Sequence, residues 1–137
     1  MSTGVKIRWG WLKAMYVYTF VGAGVFGLGM IFMPGIIQSA FGFPDQDPVV
    51  FGAYASILIA FGILSIWGLR SPLKFVPVLL MQLCYKIVWI FGVVLPLIIT
   101  HQFPKYAITL VVIFVTYIIG DLMAIPFSNV FAKQSKQ

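Results

Sequence analysis

The sequence predicts an all-α membrane protein, a four-transmembrane-helix bundle with both termini cytoplasmic. Two observations about composition and patterning predict this fold class. The 137 residues are 61% hydrophobic and 9% charged, with a mean hydropathy of +1.04, whereas a soluble domain has about a quarter of its residues charged. Long apolar segments alternate with short polar turns, and a bilayer-spanning helix needs about 20 apolar residues. The bilayer is therefore the natural solvent for this chain.

The apolar segments predict a single four-span domain over residues 1–137, with spans at about 14–33, 49–69, 75–100 and 106–127. The basic residues before the first segment resemble the start of a signal peptide. The apolar run is too long for a signal-peptide core and lacks a small-residue cleavage site, so the first span is expected to be retained. Residues 36–48 are predicted to form a partly interfacial loop.

The distribution of basic residues predicts the topology. Seven of them fall on one side of the predicted spans, namely Lys6, Arg8, Lys13, Arg70, Lys74, Lys133 and Lys136. The other side has only Lys105. Because positively charged loops stay in the cytoplasm, this asymmetry predicts a multi-pass protein of the cell inner (plasma) membrane with cytoplasmic N- and C-termini.

The remaining composition limits the kinds of partner and cofactor that we expect for this chain. The net charge of +6 comes from basic residues beside apolar segments, which indicates contact with anionic membrane lipids and no nucleic acid. One cysteine, one histidine and three acidic residues are too few for a multi-ligand metal or haem site. We therefore expect no metal and no cofactor.

Small residues at intervals of about four predict faces where helix backbones approach each other closely. The predicted packing residues are Ala23 and Gly27 in the first span, Gly52, Ser56 and Ala60 in the second, and Thr116 and Gly120 in the fourth. For the first span, packing within the chain is the main interpretation. A homo-oligomer face is the alternative.

Lys86 is the residue that the membrane tolerates least. It lies about ten residues into the third span, roughly 15 Å deep at 1.5 Å per residue. A lysine at that depth costs at least about 2.5–3.5 kcal/mol on insertion scales. The only acid at a comparable depth is Asp121, and reflection through the turn near residues 103–104 brings the two to matched positions on adjacent helices. We predict that they pair, directly or through water.

Polar and aromatic neighbours surround this pair in the sequence. Gln82, Lys86 and Trp89 share one stripe of the third span, and Tyr117 lies four residues before Asp121. The predicted ligand-binding or intramembrane polar cluster is Gln82, Tyr85, Lys86, Trp89, Tyr117 and Asp121. The pair either fixes helix register as a buried ion pair or lines a cavity for a polar head group, an ion or a proton. A third interpretation is contact with a partner protein.

No catalytic residue is predicted. Cys84 and Lys86 point to different helix faces, and the chain has no phosphate loop, paired carboxylates or H-E-x-x-H motif. The first functional hypothesis is a binding or accessory subunit, taking a lipid-like ligand or a partner membrane protein. The alternative is a small oligomeric transporter or channel that uses Lys86 and Asp121. A membrane enzyme acting on an apolar lipid-like substrate is the third.

Short features in all four spans carry a family resemblance. They are the glycine-rich first span ending Met33-Pro34, the turn Arg70-Ser71-Pro72-Leu73, Lys86 with Trp89, and Gly120-Asp121 followed by Pro126-Phe127. In these features the chain resembles uncharacterised small bacterial four-helix integral membrane proteins, loosely DoxX-like. The resemblance implies a four-helix bundle in a bacterial inner membrane and supplies no activity. Small multidrug transporters are similar in length and span count but depend on a glutamate, which this chain lacks.

Overall fold

The computed structural model describes residues 7–132, and this part of the chain is helical without strands. The helices are α1 (Trp9–Phe32), α2 (Pro34–Phe41), α3 (Pro48–Arg70), α4 (Val76–Ile99), α5 (Ala107–Ala124) and α6 (Phe127–Val130). Helices α1, α3, α4 and α5 are long and apolar enough to cross a membrane. The predicted all-helical class with four candidate spans is thus confirmed. Lys6, Lys133 and Lys136 lie outside the described residues.

The long helices alternate in direction, so each end of the bundle collects defined parts of the chain. We call the end that carries Trp9, Arg70, Val76 and Ala124 the terminal end, and the opposite end the loop end. Helix α1 packs against α3 and α5, and α4 packs against the same two helices from the other side. The described basic residues other than Lys86 and Lys105 lie at the terminal end, namely Arg8, Lys13, Arg70 and Lys74.

Helix α2 replaces the first part of the predicted loop over residues 36–48. Pro34 occupies its first turn, where the missing N–H costs nothing. Gly42 ends it with a φ of 70°, a left-handed conformation that glycine adopts without strain. None of its residues is buried, and the Phe41 ring meets Phe26 of α1 at 5.1 Å between ring centroids. The segment therefore lies against the outside of the bundle at the loop end.

Two glycines bring α1 and α3 into backbone contact. A Cβ atom added to Gly62 would lie 2.6 Å from the Gly24 Cα atom, closer than real Cβ atoms approach backbone. One turn further along α1, a Cβ atom on Gly27 would lie 2.8 Å from the Ala55 carbonyl oxygen. Close packing of this kind drives helix association in membranes, where lipid removes the hydrophobic driving force.

We expect Gly62→Ala to destabilise the protein by about 1–3 kcal/mol, because the added methyl group forces α1 and α3 apart. Gly52→Ala on the same helix is the matched control, since a Cβ atom there meets nothing within 4 Å. Reversible unfolding in bicelles, followed by circular dichroism, measures the difference. Equal stability of the two variants would contradict the close crossing.

The predicted packing residues divide between the inside and the outside of the bundle. Ala23, Gly27 and Gly120 are buried, and Gly120 faces the Met15 side chain. Thr116 is exposed, although its hydroxyl lies 2.7 Å from that of Tyr18 on α1.

The predicted ridge on α3 needs a correction. Gly52 is half-buried with open space around it, and Ser56 and Ala60 are exposed, so this face does not pack against a helix of the same chain. The buried stripe is instead Phe51, Ala55, Leu58, Gly62 and Ser65. The physical reason is that Gly62 is the position at which α3 can meet Gly24 without a side chain between them.

The two ends of the bundle differ in how tightly their side chains pack. Toward the terminal end, side chains such as Leu12, Tyr16 and Leu79 are fully buried in one compact cluster. The Tyr16 hydroxyl donates to the Pro72 carbonyl at 2.6 Å, which ties α1 to the α3–α4 turn. Toward the loop end the helices leave half-open cavities between them.

Candidate functional site

The Lys86 side chain is surrounded by aromatic rings inside the bundle. Only 2% of the residue is exposed. Its Nζ atom donates a hydrogen bond to the Tyr85 hydroxyl at 2.8 Å. The same atom lies 4.2, 4.8 and 4.6 Å from the ring centroids of Tyr85, Phe114 and Tyr117. Ring faces attract an ammonium group through their quadrupoles, so α4 and α5 together form an aromatic cage around Lys86.

Lys86 and Asp121 do not form the direct ion pair that the sequence predicted. The Lys86 ammonium contacts the cage, and Asp121 accepts its hydrogen bond from Gln82 instead. Since Gln82 precedes Lys86 by one turn, Asp121 lies about 6 Å closer to the terminal end than the prediction assumed. The π-helical segment Ile90–Val94 contributes, because it fits more residues into each turn and brings Lys86 nearer the loop end. A water-mediated link between the two side chains stays a prediction.

A second group of polar side chains lies one helical turn from the aromatic cage, toward the terminal end of the bundle. Thr19, Gln82 and Asp121 are each 0% exposed, and we call them the polar triad. Gln82 Nε2 donates to Thr19 Oγ1 at 3.1 Å and to Asp121 Oδ2 at 3.2 Å. Gln82 Oε1 and Asp121 Oδ1 are buried with no hydrogen-bond partner among the residues described. An unsatisfied buried polar atom costs about 1–3 kcal/mol, so these two oxygens need an explanation.

Tyr117 is fixed between the cage and α1. Its hydroxyl donates to the Tyr18 carbonyl at 2.9 Å, and its ring stacks on the Tyr18 ring with centroids 4.0 Å apart. Gly22 makes this approach possible, since a Cβ atom there would overlap the Tyr117 hydroxyl. Gly22 lies in the π-helical segment Phe20–Val25 of α1, and such segments are frequent at functional sites.

The cage opens into an apolar cavity of about 280 Å³ between the helices. Among residues 7–132, Lys86 is the only charged residue that lines it. Its walls are mostly aromatic and aliphatic, with Tyr18, Phe26, Tyr54, Leu58, Tyr85, Leu110, Ile113, Phe114 and Tyr117 among them. This first cavity is therefore a nonpolar space with the Lys86 ammonium group in its wall.

A second cavity of about 260 Å³ continues toward the loop end. The two cavities share Phe26, Tyr54 and Leu110 in their walls. At its far side the second cavity is lined by residues of the connecting loops, including Gln46 and Phe103. The two cavities are therefore neighbours, and the second lies between the first and the loop end of the bundle.

The structure brings the six predicted cluster residues to one region of the bundle, but they lie in three different environments. Tyr85, Lys86 and Tyr117 line the first cavity, and Trp89 lines the second. Gln82 and Asp121 belong to the polar triad.

Sequence reasoning missed Thr19, Tyr54 and Phe114. The signal for Phe114 was its position one turn before Tyr117, on the same face of α5. Thr19 offered a weaker signal, because it follows the hydroxyl-bearing Tyr16 and Tyr18 in an otherwise apolar span. Tyr54 gave none, because it lies at no helical spacing from the predicted cluster.

No protein-family model, curated protein or solved structure matches this chain. The DoxX-like resemblance therefore stays a prediction.

Proposed function

We propose that this protein is a non-enzymatic membrane protein that binds a lipid-like molecule with an anionic head group, which Lys86 contacts from the wall of the first cavity. The observation that carries the proposal is the single ammonium group in an otherwise apolar chamber. An ion inside the bilayer needs a counter-charge or strong hydrogen bonds, and no carboxylate of the described part of the chain is in direct contact with Lys86. An anionic head group would supply both.

The shape of the cavities supports a long apolar tail on that ligand. The second cavity extends the first toward the loop end, and its walls include Met30, Val93 and Leu97. Binding sites of this kind are mostly apolar, with a few polar groups that fix orientation. A head group at Lys86 with a tail toward the loop end matches this distribution.

The proposal includes a cell inner (plasma) membrane location with both termini in the cytoplasm. Arg8, Lys13, Arg70 and Lys74 at the terminal end, against Lys105 at the loop end, support this orientation. In this orientation the cavities open toward the outer face of the membrane. An amphiphile would then enter from the outer leaflet.

The first test is binding of a brominated long-chain carboxylic acid, read by quenching of Trp89 fluorescence. Trp89 lines the second cavity and packs against Phe114 at 4.7 Å between ring centroids. The other tryptophans, Trp9, Trp11 and Trp67, are replaced with phenylalanine to remove their signal. Lys86→Met is expected to weaken binding at least about tenfold, since a hydrogen bond to a charged group is worth roughly 1.5–3 kcal/mol.

The matching brominated alcohol is the control ligand, and it is expected to bind equally weakly to both proteins. Native mass spectrometry of the protein purified in mild detergent provides an independent readout, in which a retained anionic lipid supports the proposal. Equal quenching by acid and alcohol, unaffected by Lys86→Met, would contradict it. A co-purified protein subunit with an empty cavity would favour the accessory-subunit hypothesis instead.

A further inference from the structure

We infer that the Asp121–Gln82 pair is a proton-binding site, in which one proton on Asp121 Oδ1 is donated to Gln82 Oε1. The starting point is the two buried oxygens without partners, which belong to the two side chains already joined by a hydrogen bond. Both are acceptors as they stand, so neither can satisfy the other. One added proton converts Asp121 Oδ1 into a donor and accounts for both atoms at once.

The two hydrogen bonds that Gln82 Nε2 makes favour this arrangement. Gln82 Nε2 already donates to Asp121 Oδ2 at 3.2 Å and to Thr19 Oγ1 at 3.1 Å, which uses both amide hydrogens. A protonated carboxyl group has one O–H donor and keeps acceptor capacity on its other oxygen. The acid and the amide then form a ring of two hydrogen bonds, with the amide donating to one carboxyl oxygen and the other carboxyl oxygen donating back.

The proton also changes the charge balance around Lys86. With Asp121 neutral, the Lys86 ammonium is the only charge inside the bundle among the described residues. A net charge buried in the membrane is costly, so an anion in the first cavity and a proton on Asp121 favour each other. Resting on the proposed function, this coupling identifies the ligand class as an amphiphilic weak acid, bound as its anion while Asp121 carries one proton. The proton comes from water or from the acid itself, and no other bond changes.

The titratable groups around Asp121 come from three helices. Asp121 lies within electrostatic range of Tyr16 on α1, of Tyr85 and Lys86 on α4, and of Tyr117 on its own helix α5. From α3, Tyr54 faces Tyr85 rather than Asp121, with its hydroxyl 3.4 Å from that of Tyr85. Lys86 is the only basic group among them, so its ammonium is the charge whose balance the proton on Asp121 alters.

Infrared spectroscopy of the ligand-free protein in an ester-free detergent tests the proton site directly. The chain has only three acidic side chains, and the other two, Asp45 and Asp47, are exposed in the α2–α3 loop. At neutral pH we expect one carbonyl band of a protonated carboxylic acid, absent in Asp121→Asn and retained in Asp45→Asn. The absence of that band from the parent protein would overturn the inference.

Stability gives a second test that needs no ligand. Asparagine at 121 can donate to Gln82 Oε1 and accept from Gln82 Nε2, so it reproduces both hydrogen bonds of the protonated acid. Asp121→Asn is therefore expected to unfold at the same midpoint as the parent, and Asp121→Leu at a lower one. If Asp121 were an ionised partner of Lys86, Asp121→Asn would leave a buried charge uncompensated and would destabilise the protein strongly. That result would also overturn the inference.

Binding of the brominated acid tests the coupling. At neutral pH, where Asp121 already carries its proton, titrations in two buffers of different ionisation enthalpy are expected to show no net proton uptake. At a higher pH, at which the infrared band of the ligand-free protein has disappeared, they are expected to show uptake of one proton per bound carboxylate anion, falling to none in Asp121→Asn. An uptake at that higher pH that is the same in both proteins would contradict the coupling. If the infrared band is present but the acid does not bind, the proposed function fails while the proton site stands.

Discussion

Gln82→Leu is expected to lower the unfolding free energy by about 3 kcal/mol. Gln82 joins Thr19 on α1 to Asp121 on α5 through two hydrogen bonds. Leucine fills a similar volume but offers neither donor nor acceptor, so the Asp121 carboxyl group loses its hydrogen-bond partner in a position that is 0% exposed. Unsatisfied buried polar groups cost about 1–3 kcal/mol each, and more when charged.

Equilibrium unfolding in bicelles, monitored by circular dichroism, measures this loss. Gln102→Leu is the matched control, because Gln102 is exposed in the α4–α5 turn, and it is expected to change stability little. The double variant Gln82→Leu with Asp121→Leu should recover part of the loss, since it removes the stranded carboxyl group. Unchanged stability of the single variant would mean that the polar triad does not hold the three helices together.

Phe114→Ala is expected to destabilise the protein by about 3 kcal/mol, within the range for truncating a buried phenylalanine. The Phe114 ring lies at the centre of the aromatic cluster, with centroid distances of 6.0 Å to Tyr85 and 4.7 Å to Trp89. It also provides one of the three ring faces around the Lys86 ammonium. Alanine removes that face and joins additional empty volume to the first cavity.

Phe91→Ala is the control on α4, because Phe91 is 65% exposed on the outer surface of the bundle. Its loss is expected to be small, since lipid replaces the ring contacts. Unfolding midpoints of the two variants in the same bicelles give the comparison. If Phe91→Ala proved as costly as Phe114→Ala, the destabilisation would reflect general loss of apolar surface and not the cluster around Lys86.

The four candidate spans could be predicted because each apolar run is long enough to require a helix. A bilayer leaves no other way to satisfy the backbone N–H and C=O groups of such a run. Helix α2 escaped this reasoning because its eight residues lie on the surface, where the constraint does not apply. Its end signals, Pro34 and Gly42, are present in the sequence, but the eight residues of this helix are too few for a membrane span.

The candidate site could be predicted only in part. Depth along each helix brought Lys86 and Asp121 to one level of the bundle, and helical spacing added Gln82, Trp89 and Tyr117. The same reasoning paired Lys86 with Asp121 directly, because reflection through a turn treats both helices as ideal and equally long. In the structure Asp121 lies level with Gln82, one turn from the predicted position, and the π-helical segment Ile90–Val94 shortens α4 between the α4–α5 turn and Lys86.

By itself, the sequence determined that this chain has four apolar helices and that an ammonium group and a carboxyl group must be buried between them. Both follow from local properties, namely run length and the cost of charge in lipid. Only the tertiary structure decided that Lys86 lies against three aromatic rings, that Asp121 bonds to Gln82, and that a cavity separates the helices toward the loop end. These features depend on which helix faces meet. For α1 and α3, the facing sides meet at Gly24 and Gly62. These two glycines are far apart in the sequence, so no local pattern specifies their contact.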